Sequence, residues 1–219
     1  MSSGLLRQAW RCYRDFGADE SLLRFFSHLK LISEASSLDF FICDLESFRP
    51  DGLNTQNIRE ISKIEFEKFR LADGLRPRGD FDKQFSRGSR LMAATAGDTL
   101  VGINWINTQF ADLTQIRRPH LTFPKDTLYS YGLLISSGHR SKGIGRLLKQ
   151  FVLQKLKNEG WRFAFIAAYV RNIQLSRWHE KNGFARWGRV FYWKFLGKER
   201  RMTRLTKLGR KYPRLLSVN

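Results

Sequence analysis

Cysteine is nearly absent from this chain of 219 residues: Cys12 and Cys43 are the only two, and they form no metal-ligand spacing. No zinc site is expected, and a chain this long needs no disulfide to hold its core, so a reducing, cytoplasmic setting fits best. Long apolar runs are missing too. The longest clean one, Phe163 to Val170, has only eight residues, and Arg7, Arg11 and Arg14 interrupt the apolar opening segment. Neither a membrane-spanning helix nor a secretory signal is expected. There is no internal repeat and no low-complexity block.

Acidic residues are scarce in one half only. Residues 1 to 97 carry 15 Lys and Arg against 14 Asp and Glu, whereas residues 98 to 219 carry 24 against 6, so the second half holds nearly all of the net charge of +19. Such a surplus points to an anionic partner: nucleic acid, a phosphate-bearing cofactor or an acidic lipid surface. What the chain does have is apolar and aromatic material. Eighteen Phe, six Trp and 42% hydrophobic residues exclude a disordered protein and support one folded domain with an appendage.

Along the chain, Leu5 to Ile32 reads as two short amphipathic helices broken at Gly17, which either dock on the main domain or meet a membrane surface or partner. Leu38 to Leu45 reads as a buried strand. Ile58, Ile61, Ile64 and Phe69 follow helical spacing, and residues 73 to 88, with Gly74, Pro77 and Gly79, read as a loop. Arg70, Arg76, Arg78, Arg87 and Arg90 lie on or beside that loop and would suit an anionic acceptor, although a solvated surface loop explains them equally. Residues 90 to 95 and 99 to 108, joined at Gly97, read as a β-hairpin, and 127 to 135 as a further strand. Residues 143 to 159 form the clearest helix, with Ile144, Leu147, Leu148, Phe151, Val152 and Leu156 on one stripe and Lys149 and Gln150 among the residues opposite. A strand over 163 to 170, a helix over 173 to 181 and a strand over 190 to 196 complete the reading. Residues 197 to 219 carry eight basic residues against Glu199 and read as a tail that is solvated, bound to a phosphate backbone or lying on an acidic membrane.

Chemistry concentrates between residues 133 and 148, where a strand leads into Arg140, Ser141, Lys142, Gly143, Ile144 and Gly145 at the start of the long helix. First-turn N–H groups lack intrahelical partners and sit at the positive end of the helix dipole, so they attract phosphate. Gly143 and Gly145 let a pyrophosphate approach the backbone, and Arg140 and Lys142 add charge. No Gly-Lys-Ser/Thr follows, and Leu148 stands where a dinucleotide fingerprint has its third glycine.

That hexapeptide resembles motif A of the GNAT superfamily of acyl-CoA-dependent N-acyltransferases, Gln/Arg-x-x-Gly-x-Gly/Ala. A second block is also similar to the family: the strand 163 to 170, then Asn172, then His179, Glu180, Lys181, Asn182, Gly183 and Phe184, against a family element Tyr-Glu-Lys-x-Gly-Phe. The chain departs from that element only at the tyrosine, where it has His179. The resemblance implies an α/β fold, a GNAT-like mixed central β-sheet flanked by helices. Its domain would span 38 to 197, with 1 to 37 as an amphipathic helical extension and 198 to 219 as a basic tail.

The resemblance further implies acetyl-CoA, or another acyl-CoA, as co-substrate, lying between two diverging parallel strands. Its pantetheine amides would pair with Leu133, Leu134 and Ile135, its pyrophosphate with N–H groups from Ser141 to Gly145, and Asn172 would contact the cofactor arm or fix the loop beside it. An acceptor amine must be neutral to attack the thioester, and the leaving thiolate benefits from a proton. His179 could donate that proton or only fill the pocket wall. No carboxylate occurs from Leu128 to Ile135, where many family members have a glutamate. Tyr129 and Tyr131 share one face of that strand, so a tyrosine-linked water relay through Tyr131 is one route for the amine proton, bulk water another, and Asp126 lies just upstream.

The resemblance therefore implies transfer of acetyl to a primary amine of an anionic or other acceptor. A nucleic-acid-associated or membrane-peripheral protein, using the fold as a scaffold and stacking bases on Trp178, Trp187 and Trp193, is the alternative.

Overall fold

A computed structural model describes residues 18, 21–22, 32–50, 57–75, 78–108, 110–112, 120–122, 126–195, 198–212 and 217–218. Twelve strands are recorded among them. In chain order these are β1 (Ile32–Asp44), β2 (Ile58–Ile61), β3 (Arg70–Leu71), β4 (Arg90–Ala96), β5 (Thr99–Asn107), β6 (Phe110–Asp112), β7 (His120–Thr122), β8 (Thr127–Ile135), β9 (Phe163–Tyr169), β10 (Ala185–Phe195), β11 (Lys198–Leu205) and β12 (Ser217–Val218). The helices are α1 (Lys63–Phe66), α2 (Arg78–Ser86), α3 (Ile144–Asn158), α4 (Ile173–Lys181) and α5 (Lys207–Lys211). None of these helices is long and apolar enough to cross a membrane. The two amphipathic helices read over residues 5 to 32 fall almost wholly outside the described residues.

The main sheet runs β11-β10-β1-β9-β8-β5-β4-β2, with β3 pairing β5. It is mixed: β8 with β9 and β3 with β5 are parallel, and the other neighbours antiparallel. A mixed central sheet flanked by helices is the architecture the sequence led us to expect. Its pattern follows from alternation, which sends successive side chains to opposite faces. One face packs on α3, where Leu148, Val152, Leu153 and Leu156 are fully buried against Met92, Ile106, Leu128 and Ala164. The other face packs Tyr129, Phe163, Phe165, Trp187 and Tyr192 together at one end, and Phe66, Phe81, Leu91 and Trp105 at the other.

Four local expectations are corrected. The helix read over 58 to 69 is a strand followed by a single helical turn: Ile58 and Ile61 are the two buried ends of β2, which pairs with β4. Ser62 then starts α1 in a capping box with Glu65. The loop read over 73 to 88 contains α2, whose Phe81 and Phe85 pack on Phe66 and Trp105 at ring separations of 4.5 to 5.8 Å. Residues 198 to 205, read as part of a tail, form β11 and pair with β10 along eight residues. Likewise β1 begins at Ile32, upstream of the boundary placed at residue 38.

Arg90, one of the arginines read as a substrate contact, is engaged elsewhere. Its guanidinium donates to both oxygens of Glu60 at 2.8 Å and both of Glu159 at 2.7 Å, and Lys155 lies 3.2 Å from each carboxylate. This network ties β2 and β4 to the end of α3. Hydrogen bonds from Arg90 hold the Glu159 carboxyl down to about 2. A depressed carboxylate stabilises the fold above its ordinary range, and that contribution disappears as pH falls from about 4.5 to about 2. Arg90→Met should cost about 2 kcal/mol at pH 7, as loss of charged hydrogen bonds predicts, and the difference from wild type should shrink through that acid window. Urea melts at pH 7 and pH 3 check both.

Candidate functional site

The site begins where two parallel strands part. β8 and β9 pair only at Thr127–Phe163, Leu128–Ala164 and Tyr129–Phe165, after which β9 remains paired with β1 and β8 with β5. Among the described residues, no strand pairs with the edge of β8 that faces β9 beyond Tyr129. Six residues, from Ser130 to Ile135, make this free edge, and their five steps of about 3.3 Å give it a length of roughly 17 Å. It carries the expected cofactor contacts Leu133, Leu134 and Ile135, each half-buried.

A bulge accompanies the parting. Ile103 pairs with Leu134 but Trp105 with Tyr131, so Asn104 alone faces Gly132 and Leu133. Gly132 has φ +61°, and a Cβ there would lie 3.1 Å from the Trp105 ring. Both the backbone angle and the ring therefore require glycine at this position.

At its carboxyl end β8 turns through residues 136 to 143 into α3. Ser136 donates its N–H to Val101 O at 2.9 Å and pairs its hydroxyl with His139 Nδ1 at 2.8 Å. Ser137 N–H bonds Asp73 O at 3.1 Å, and Arg140 Nε bonds Ile135 O at 3.1 Å. The turn is thereby fixed from both sides. Ser141 at φ +61° and Gly143 at φ +78° then reverse the backbone, and Gly143 caps α3 without any side-chain hydrogen bond. A Cβ on Gly143 would meet nothing within 4 Å, and no side chain at the N-cap takes up the first N–H groups of this 15-residue helix. Ser141, Lys142 and Gly143 are exposed, with Ile144 and Gly145 half-buried behind them. This concavity has the chemistry of an anion site.

Across the gap, Asn172 caps α4 by accepting the Leu175 N–H at 3.0 Å. It lines a surface pocket of about 650 Å³ with Tyr169, Arg171, Ile173 and Gln174.

His179 lies two turns further along α4 and is only 4% exposed. Its ring packs against Phe41, Trp178 and Phe184 at 5.3 to 5.8 Å, and Nδ1 is buried without a hydrogen-bond partner. Burial, reinforced by the nearby Lys149 ammonium, holds the imidazole down to about 3, so it is neutral throughout the working range.

Tyr131 stacks on Tyr129 at 5.4 Å, as strand alternation requires. Its hydroxyl donates to Gln84 Oε1 at 2.6 Å and lies 2.7 Å from Ser89 Oγ. Asn107 Nδ2 donates to that same Ser89 oxygen at 3.1 Å. Burial raises the Tyr131 pKa, so its proton stays on. Gln84, Ser89 and Asn107 were not picked out in the sequence; α2, which carries Gln84, had been read as loop. Asp126 sits at the far end of β8, bonded through its carboxylate to Thr127 Oγ1 at 3.2 Å.

A second unexpected feature lies behind the bulge. Lys149, read on the solvent face of its helix, is 1% exposed and donates to Asn104 Oδ1 and Ser130 Oγ, both at 2.7 Å. Lone polar residues in an apolar strand, such as Asn104 between Ile103 and Trp105, are the sequence signal for such a partner.

Of the three tryptophans read as stacking platforms, Trp187 is 1% exposed and donates its Nε1–H to Tyr212 O at 3.1 Å, which removes it from that role. Trp178 and Trp193 are half-buried.

The family description "Acetyltransferase (GNAT) family" matches residues 55–184. No curated protein matches the chain in sequence. Solved structures share the fold at low identity. A putative GNAT-family acetyltransferase from Novosphingobium aromaticivorans superposes with a TM-score of 0.51 at 10% identity, over 73% of this chain and 64% of its own. A GNAT-family acetyltransferase from Colwellia psychrerythraea gives 0.51 at 12%, over 80% and 62%. A glucosamine N-acetyltransferase region of a fungal multi-domain GH3 β-N-acetylglucosaminidase gives 0.51 at 12%, over 85% of this chain and 23% of that one. The chain thus spans less than two thirds of the length of each of these relatives.

Tyr131→Phe leaves the Gln84 carbonyl and the Ser89 hydroxyl short of a partner, and should lower stability by about 1 to 3 kcal/mol. Denaturant midpoints compared with those of wild type test this, and an unchanged midpoint would show that water replaces the phenol at no cost.

Proposed function

Because the chain belongs to the GNAT acetyltransferase family, we propose that it transfers an acyl group, acetyl foremost, from coenzyme A to a primary amine. The observation that carries this reading is the free edge of β8 running into an uncapped, glycine-opened helix start. An extended amide-bearing arm fits the edge, and a pyrophosphate fits the N–H groups from Ser141 to Gly145. Arg140 and Lys142 flank that place with positive charge. Among the described residues no group of metal-ligating side chains occurs, and the proposed chemistry assigns a metal no part.

When bound, acyl-CoA supplies an activated carbonyl. The protein's share is to place it and to manage charge. A backbone N–H of the 133 to 135 edge would donate to the oxyanion as the amine adds. Collapse of that adduct breaks the C–S bond, forms the amide and leaves a thiolate. His179, neutral by burial, can offer the thiolate a hydrogen bond but not a ready proton, which changes the acid role read from its position into a weaker one. Tyr131, Gln84 and Ser89 lie on the other face of β8 and would meet the acceptor there. No carboxylate stands on β8 to take the amine proton, so the amine would arrive neutral or shed its proton through Tyr131 and water.

The acceptor we favour is a small polar amine, with anionic groups accommodated by Arg87. Glucosamine, named for the fungal region, is an acceptor of this chemistry.

Gly143→Glu puts a side chain and a negative charge into the anion site at a backbone angle that disfavours any side chain. It should abolish coenzyme A binding while leaving the circular dichroism spectrum intact, with the melting temperature lowered by the strain at φ +78°, and unchanged affinity would refute the assignment of the loop. His179→Phe should lower turnover about tenfold to a hundredfold, the scale of one hydrogen bond to a charged group. In the wild type, kcat followed by thiol release should show no inflection from an imidazole between pH 5 and 7. An inflection there that His179→Phe removes would restore the general-acid role.

A further inference from the structure

Lysine is among the costliest residues to bury, and Lys149 is buried completely with two neutral oxygens as its hydrogen-bond partners. Replacing such a buried polar cluster whole by apolar residues is often neutral or stabilising, so global stability does not explain its presence. Its location does. Asn104 is the one residue of β5 that the bulge leaves facing two residues of β8. Ser130 is the first residue of β8 beyond its last pair with β9. The ammonium bridges these two at 2.7 Å each, and Asn104 Nδ2 closes the triangle by donating to Ser130 Oγ at 2.9 Å and to Trp105 O at 2.8 Å. All three side chains are at most 1% exposed. One amino group from α3, its pKa pushed down to about 7 by burial, therefore ties β5 to β8 at the residue where the gap begins.

We propose that Lys149 is a positioning residue: with Asn104 and Ser130 it clamps the point at which β8 leaves β9, and so fixes how far an acyl group can travel down the gap before it stops. The second half of this statement rests on the acyltransferase reading; the first does not. A clamp made of directed hydrogen bonds sets position more sharply than apolar packing does, because its donors and acceptors tolerate little displacement. An acyl carbonyl must sit within about 0.5 Å of its productive place, so the position of the apex bears on turnover more than on affinity. The cofactor's pyrophosphate would be held at the far end of the gap, at residues 141 to 145, so affinity depends less on the apex than turnover does. The ionisable groups facing Lys149 are the Cys43 thiol of β1, pushed up to about 12 by burial, and His179 of α4. Both are neutral near pH 7, so neither supplies a counter-charge.

The test uses Lys149→Met, which keeps length and apolar volume but removes the donor, and reads three quantities in the full chain. Amide hydrogen exchange over residues 127 to 135 should speed up at least tenfold more than exchange in β4, whatever fall in melting temperature the loss of a donor to Asn104 and Ser130 causes. The dissociation constant for acetyl-CoA should change less than threefold. With an amine that wild type accepts, kcat should fall at least tenfold at nearly constant KM for the acyl donor. Unchanged exchange over 127 to 135 overturns the clamp, and so does exchange that rises by the same factor in every strand. Faster local exchange with unchanged kcat overturns its catalytic consequence. If wild type binds acetyl-CoA but acylates no amine, the acyltransferase reading fails while the exchange result still decides the clamp. Ser130→Ala, which deletes only the hydroxyl, gives the same three readouts if the lysine variant does not fold.

Discussion

Two parallel strands stay hydrogen-bonded only while their backbones run side by side, and in this protein they do so for three residue pairs. The parting of β8 from β9 exposes a line of backbone donors and acceptors inside an otherwise paired sheet. That exposure is possible because each strand has another neighbour to satisfy its second edge: β5 for β8 and β1 for β9. The bulge at Gly132 bends β8 away, Trp105 packs against the bare glycine, and α3 covers the sheet beneath. The proposed anion site follows from the same geometry. β8 ends pointing at the start of α3, and residues 136 to 140, pinned by Val101, Asp73 and Ile135, deliver the chain to Gly143 at the angle that leaves the helix uncapped.

The positive charge of the second half turns out to be divided among different tasks. Lys149 is buried in the core. Lys155 joins the Arg90 network, and Lys157 donates to Glu46 O and Phe48 O at 3.0 and 2.8 Å, tying the turn after β1 to α3. Arg189 forms a two-point pair with the buried Asp39 at 2.6 and 3.0 Å, with Arg186 at 3.8 Å. Net charge read from composition therefore overstates the charge available to a polyanion. Arg140 and Lys142 are the cations that the anion site itself can use.

How much of this was legible beforehand depended on the kind of signal. Periodicity with clear punctuation read well: residues 127 to 135 are β8, 144 to 158 are α3 between Gly143 and Gly160, and Gly97 turns the hairpin of β4 and β5. Apolar residues spaced by three misled at Ile58 and Ile61, because a four-residue strand with both ends buried mimics one helical turn. Pro77 and Gly79 hid α2, since a proline just before a helix start is tolerated there but reads as a breaker. The glycine and asparagine positions of the candidate site were legible as motif and spacing. Gln84, Ser89 and Lys149 were not, because a polar residue on a helix or turn gives no local sign that it points inward, and its partners lie 18 to 47 positions away in the chain.

The central claim is that the parted strands and the glycine-opened helix bind acyl-CoA as one site. Calorimetric titration of the protein with acetyl-CoA, with ATP as a phosphate control and repeated at raised salt, tests it most directly. One-to-one saturable binding that exceeds ATP binding and survives salt is the predicted result, because backbone donors along β8 contribute as well as charge. Weak binding of both ligands that salt abolishes would contradict the account, leaving residues 140 to 145 as an unspecific basic patch.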